Sequence, residues 1–172
     1  MVVKRPGLAV LSLAVRNGRQ AELTAYVLEH HGLRLPAGPS RVAGAERSAI
    51  GIGPGRWLII GETADPDALR RAMAIEFDGL AAVADLSDAF AVLRLSGTRA
   101  RDVLAKGLPI DVHERCFGPG DAASSPVALI AIHLWQIDDV PTYEIAVPRS
   151  LAGSFAEWLT ESAAEFGLIV AP

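Results

Sequence analysis

Residues 84–112 read ADLSDAFAVLRLSGTRARDVLAKGLPIDV, a strand, a tight turn and a short helix that carries its own stop signals. The apolar run 89–95 predicts the strand, which breaks at Ser96-Gly97. Residues 98–106 predict a helix with Ala100, Val103, Leu104 and Leu108 on one face. Ser96 is expected to cap that helix, and Asp102 and Lys106 to form an i,i+4 pair. Lys106, Gly107 and Pro109 supply a cationic last turn, a C-terminal glycine and a breaker. Arg94, Arg99 and Arg101 surround the turn, so Ser96-Gly97 reads either as an anion site at a helix start or as a plain connection.

Outward from this unit the same order recurs. Towards the N-terminus, 8–15 (LAVLSLAV) predicts a strand and 19–31 a helix ended by Gly32. Residues 35–44, with two prolines and two glycines, predict a surface connection. Residues 48–52 and 56–60 predict a hairpin across Gly53-Pro54-Gly55. Asp65-Pro66-Asp67 starts a helix whose apolar face is Leu69, Ala72 and Met73. Residues 81–85 predict a further strand. Towards the C-terminus, a long loop over 107–126 precedes strands over 129–136 and 142–147. In the second of these Tyr143, Ile145 and Val147 alternate with Thr142, Glu144 and Ala146, the pattern of one buried face. A helix with Leu151, Phe155, Trp158, Leu159 and Phe166 at helical spacing ends at Gly167, and 168–170 predict a last strand. Both halves, about 8–76 and 80–170, thus run strand, helix, hairpin, helix. The expectation is one α+β domain over 1–172, with helices covering antiparallel or mixed sheets.

Composition limits the function classes. The chain has 172 residues, 51% of them hydrophobic, enough for a sizeable core. Sixteen basic against twenty acidic side chains give a net charge of -4, so no global field draws it to nucleic acid. Cys116 is the only cysteine, which excludes an internal disulfide and fits a reducing, cytoplasmic setting. No apolar run reaches membrane-spanning length. Lys4 and Arg5 before the apolar run 8–15 imitate a compact signal peptide, but the run is short for one and serves as a first strand.

Individual motifs favour structure over chemistry. Gly51-x-Gly53-x-Gly55 resembles a phosphate loop, yet a strand rather than a helix follows it, so a hairpin turn is expected. His113 and Cys116, beside Asp111 and Glu114, are too few for a zinc site and form no complete nucleophile set. His30 and His31 point about 100° apart on a helix and cannot clamp one ion. His133 reads as a packed histidine, and Asp85, Ser87 and Asp88 as turn chemistry. The three tryptophans read as core or interface aromatics. No catalytic, cofactor-binding or metal-binding set is assigned.

The runs VADLSDAFAVLRLSGTRARDVLAKGLPIDVHERCFGPG, LIAIHLWQIDD and TYEIAVPRSLAGSFAEWL, with Gly53-Pro54-Gly55-Arg56-Trp57-Leu58 before them, resemble the gamma subunits of heterotetrameric sarcosine oxidases. More distantly, Asp85 and Ser87 followed by Ser96, Gly97 and Ala100 resemble the folate-binding domain of the glycine-cleavage aminomethyltransferases. The resemblance implies a folate-binding-type fold of two similar halves. It implies partner subunits of alpha, beta and delta type that carry flavins, NAD and tetrahydrofolate chemistry and oxidise the N-methyl group of sarcosine, this chain being structural. Aminomethyltransferase-like domains set an aspartate against the folate. The corresponding stretch here, Ser124-Ser125-Pro126-Val127-Ala128, has no carboxylate, and Asp138-Asp139 lies at the far end of the strand. A folate-binding enzyme acting alone is therefore the second reading. The loop with His113, Cys116 and Phe117 is the expected partner interface. Without partners, the chain is expected to expose apolar surface and pair with itself.

Overall fold

The computed structural model describes residues 1–167 and 169–171. In chain order the elements are β1 (Val2–Lys4), β2 (Leu8–Val15), α1 (Gln20–His31), β3 (Arg41–Ala43), β4 (Arg47–Gly53), β5 (Arg56–Glu62), α2 (Pro66–Glu76) and β6 (Ala81–Asp85). They continue with β7 (Phe90–Ser96), α3 (Ala100–Ala105), β8 (Ala122–Val127), β9 (Ile130–Asp138), β10 (Thr142–Pro148), α4 (Ala152–Ala163) and β11 (Val170–Ala171). The chain forms two compact units, Gly7–Asp88 and the discontinuous pair Met1–Pro6 with Ala89–Pro172. Among the described residues, no helix is long and apolar enough to cross a membrane.

The Gly7–Asp88 unit is a five-stranded antiparallel sheet in the order β3-β4-β5-β2-β6. Leu23 and Val27 of α1 and Met73 of α2 pack with Leu11, Leu13, Ala49, Trp57, Ile59 and Phe77 on one sheet face. Local chemistry ends each helix. Gly32 closes α1 in the left-handed region, its N–H reaching Leu28 O, and Asp65 Oδ1 accepts the Ala68 N–H at 2.8 Å to start α2. The 35–44 connection is less superficial than its composition predicts. Leu33 and Leu35 are buried, the Trp57 indole donates to Pro36 O at 2.8 Å, and β3 pairs with β4. Ala72, in contrast, is exposed, and Phe77 takes its expected place in the core.

The second unit is a six-stranded sheet in the order β11-β1-β7-β10-β9-β8, antiparallel except for the parallel pair β1 and β11. Val103 and Leu104 of α3 and Phe155 and Leu159 of α4 pack on one face against Leu95, Ile132, Leu134, Tyr143, Ile145 and Val147. The repeat of element order extends to the sheets. β3-β4-β5-β2-β6 corresponds to β8-β9-β10-β7-β1, the last place being filled from the start of the chain instead of from the strand after the second helix. Two features of this unit depart from the sequence reading. β8 lies inside the predicted long loop, where Ser, Pro and Ala give a weak strand signal. β10 is buried on both faces, because it is central and Thr142, Glu144 and Ala146 are as enclosed as Tyr143 and Ile145. The predicted last strand begins at Val170; Leu168 lies outside the described residues.

The β8–β9 hairpin turns on Ala128 and Leu129, which have φ of 46° and 69°. Two-residue hairpin loops of this hand favour Asn-Gly, because a Cβ crowds the backbone when φ is positive. Leu129 is 98% exposed, so its side chain contributes no packing to offset this cost. Changing Ala128-Leu129 to Asn-Gly is expected to raise the unfolding free energy by about 1 kcal/mol, read as an upward shift of the urea midpoint with unchanged slope.

Candidate functional site

The most constrained polar group of the second unit is one that sequence reading places only as an alternating strand residue. Glu144 of β10 is 6% exposed and stands directly opposite Arg94 of β7 and Trp135 of β9. Its Oε1 accepts from Arg94 Nη2 at 2.6 Å and from Arg94 Nε at 3.2 Å, and lies 3.3 Å from Arg5 Nε. Its Oε2 accepts the Trp135 indole N–H at 3.1 Å. Every carboxylate oxygen is matched, as burial of a charge demands. The cluster lies on the sheet face opposite α3 and α4. The signal for it in the sequence is an acidic residue in an otherwise apolar strand, which one-strand periodicity reports as solvent-facing.

This pairing also resolves the Ser96-Gly97 turn. Arg94 is bound to Glu144, Arg99 pairs with Asp102 at 3.2 Å, and Arg101 reaches into the unit, so none of the three converges on an anion. Ser96 N donates to Met1 O at 2.9 Å, because β1 pairs with β7. Ser96 therefore ends a strand rather than capping α3, whose start has no side-chain cap. Nor do Asp102 and Lys106 pair. Lys106 donates to Ser162 O at 2.5 Å and bridges to Glu165, tying the end of α3 to the last helix. Tertiary partners outcompete a surface i,i+4 pair of a few tenths of a kcal/mol.

The predicted interface loop is ordered by a few specific bonds. Arg101 Nη1 donates to Val112 O and, at 2.9 Å, to Phe117 O, while Nη2 reaches Gln136 Oε1 at 3.2 Å. Asp111 Oδ1 accepts His113 N at 2.8 Å, and His113 O accepts the N–H groups of Cys116 and Phe117. The turn so made buries Phe117 against Tyr143, with ring centroids 6.2 Å apart, and leaves His113 and Cys116 exposed. His113 Nδ1 accepts Arg115 N at 3.2 Å, so the imidazole is not directed at the thiol. A hydrogen bond to the Asp111 carboxylate, then its charge, raise the Cys116 thiol above its ordinary pKa, the reverse of nucleophile activation. Iodoacetamide at pH 7 is expected to alkylate Cys116 more slowly than free cysteine. Asp111→Asn is expected to accelerate the reaction several-fold, measured by mass spectrometry over time.

The remaining motifs fall into structural roles. Ser87 N donates to Asp85 Oδ1 at 2.8 Å and Ser87 Oγ accepts Val10 N at 3.0 Å, a turn that fastens β6 to β2. His30 stacks on Tyr26, and His31 Nε2 lies 2.7 Å from Glu76 Oε1, so the two imidazoles are directed to different partners. His133 meets Ser124 Oγ at 2.7 Å and the Phe90 ring, and its partial burial lowers its pKa. Among the described residues, no group of three or more His, Cys, Asp or Glu side chains is placed to hold a metal ion. Ser124–Val127, matched above to the folate-facing stretch, belongs to the edge strand β8; its hydroxyls bond His133 and Pro126 O, and it presents no carboxylate.

Residues 17–165 match the family described as "Sarcosine oxidase, gamma subunit family". A sarcosine oxidase subunit gamma from Corynebacterium sp. (strain P-1) is 33% identical over 148 residues, covering 83% of this chain and 70% of the relative. Another, from Corynebacterium sp. (strain U-96), is 32% identical over 139 residues, 78% of this chain and 66% of the relative. The chain thus spans about two thirds of the length of the curated relatives it matches. Among solved structures, the heterotetrameric sarcosine oxidase from Corynebacterium sp. U-96 in complex with pyrrole 2-carboxylate aligns with a TM-score of 0.85 and 27% identity, covering 99% of this chain and 87% of that one. The glycine cleavage system aminomethyltransferase T from Bartonella henselae aligns with a TM-score of 0.70 and 17% identity over 92% of this chain and 45% of that one, a likeness of fold.

Proposed function

Because the chain belongs to the sarcosine oxidase gamma subunit family, we propose that it is a structural, non-catalytic subunit of a cytoplasmic complex that oxidatively demethylates sarcosine to glycine. The observation that carries this reading is the alignment of 99% of the chain, at a TM-score of 0.85, with a chain of a heterotetrameric sarcosine oxidase. The side-chain chemistry is in keeping with it. The buried carboxylate is bound by arginines, and the exposed thiol is held protonated by Asp111. Flavin, NAD and tetrahydrofolate chemistry belongs in this proposal to partners of alpha, beta and delta type. The chain's role is to present a folded surface to them, and in their absence it pairs with itself.

The contact surface proposed is the turn carrying His113 and Cys116, with Phe117 as its buried footing. Arg101 fixes that turn on the sheet, so it meets a partner preorganised and with little ordering cost. Co-expression of the chain with the partner subunits tests this. His113→Glu combined with Arg115→Glu, both exposed positions, is expected to reduce co-purification of the partners while leaving the melting temperature of the isolated chain unchanged. Undiminished co-purification would place the interface elsewhere.

A further inference from the structure

We propose that the tip of the β8–β9 hairpin, with Leu129 at its point, is a plug that seats in an apolar socket on a partner subunit of the oxidase complex. The inference rests on the subunit role proposed above and adds a second contact to the His113 turn. The hairpin is held from inside. Val127 and Ile130 stand opposite each other across the two-residue turn, 0% and 8% exposed, and Ala128 N donates to Gly107 O at 3.1 Å. Leu129, in contrast, is 98% exposed and leans on nothing in its own chain. The exposed residues around it, Pro126, Ala128 and Ala131, are apolar as well. Residues 122–137 contain no Asp, Glu, Lys or Arg, and 126–132 contain no polar side chain at all.

Exposure alone carries little, since single apolar side chains are common on protein surfaces. The backbone adds an independent observation. Among the described residues, Ala128 and Leu129 are the only non-glycine positions with positive φ. Asn-Gly would make the same turn without crowding a Cβ, so the fold keeps a strained pair whose leucine gains it no packing. The geometry of the tip selects the occupant. A leucine at the point of a two-residue turn leaves water on all sides only inside a concavity, so the partner supplies a socket and not a flat face. The socket is apolar, because the tip brings neither a charge nor a side-chain hydrogen-bonding group to satisfy a polar lining. A second copy of this chain does not suit it. Four such side chains cover a few hundred Å², short of the roughly 800 Å² per partner buried by a stable pair. The tip therefore belongs in an assembly held by further contacts, which a rigid turn enters at little ordering cost.

The test is co-expression with the partner subunits and purification through a tag on this chain, reading the rate at which partners are lost on dilution. Ala128→Asn combined with Leu129→Gly should give a chain more resistant to urea, yet a complex that loses partners about tenfold faster, the effect of removing one fully buried leucine. Leu129→Met should stay within about twofold of the parent rate. Val140→Ser, at a residue 66% exposed in the turn at the other end of β9, should leave the rate unchanged. Parent and Asn-Gly complexes that dissociate at the same rate would overturn the plug and leave the subunit role standing. A parent chain that brings down no partner would overturn both. Self-association of the isolated parent that the Asn-Gly change abolishes, with partner binding unaltered, would assign the tip to a second copy and overturn the socket.

Discussion

Replacing Glu144 by alanine is expected to lower the unfolding free energy by about 3 kcal/mol, the low end for removing one partner of a buried ion pair. The low end applies because Arg94 and Arg5 are 33% and 30% exposed and recover part of their hydration, whereas Glu144 itself is enclosed. Alanine removes the carboxylate that Arg94 of β7 and Arg5, the residue after β1, share, and leaves the Trp135 indole N–H without its acceptor. Glu144→Gln keeps a neutral acceptor for the indole and is expected to lose roughly half as much. Urea unfolding of the two variants separates these contributions. If both retain the stability of the parent, the cluster does not hold the sheet together as argued.

The second large effect concerns the glycine triplet of the β4–β5 hairpin. Gly51→Ala is expected to cost about 3 kcal/mol, because the new Cβ would lie 2.0 Å from Gly38 O and 3.0 Å from Gly38 C. Both obstacles are backbone, so relief requires moving the 36–40 segment off the sheet. That motion would also break the bond from Gly51 N to Ser40 O at 2.9 Å and disturb the Trp57 anchor on Pro36. Gly53→Ala meets nothing within 4 Å and is expected to stay within about 0.5 kcal/mol of the parent. A phosphate-binding loop would make both glycines sensitive to a phosphate ligand. Close backbone packing makes only the first one matter, and to stability alone. Thermal melts of the two variants distinguish these accounts, and equal effects at both positions would contradict the packing explanation.

Much of the fold is legible in the sequence because its strongest signals are local. The cap at Asp65, the glycine after His31 and the Gly-Pro-Gly break at 53–55 between two short apolar runs each fix an element without help from the rest of the chain. β1, β3 and β8 carry no such signal. Two are three residues long and the third contains two serines and a proline, so each is a strand only because a neighbouring edge pairs with it. The same limit applies to the polar cluster. Glu144, Arg94 and Trp135 converge through the register of three strands, and a reading made one strand at a time assigns Glu144 to water. Helix-surface pairing failed in the opposite sense at Lys106, where a local rule predicts Asp102 and the tertiary fold supplies Ser162 and Glu165. Phe117 is a related case. It belongs to the predicted interface loop, but its ring faces the core and its neighbours His113 and Cys116 face outward.

The proposal most open to test is that this chain is a built-in member of an oxidase complex rather than an enzyme in its own right. Native mass spectrometry of material purified through a tag on this chain, co-expressed with the partner subunits, addresses it directly. The expected result is one copy of the chain in a complex that oxidises sarcosine, and no turnover by the chain alone. Sarcosine oxidation by the isolated chain, or a fully active complex that assembles without it, would overturn the proposal that the chain is a structural subunit.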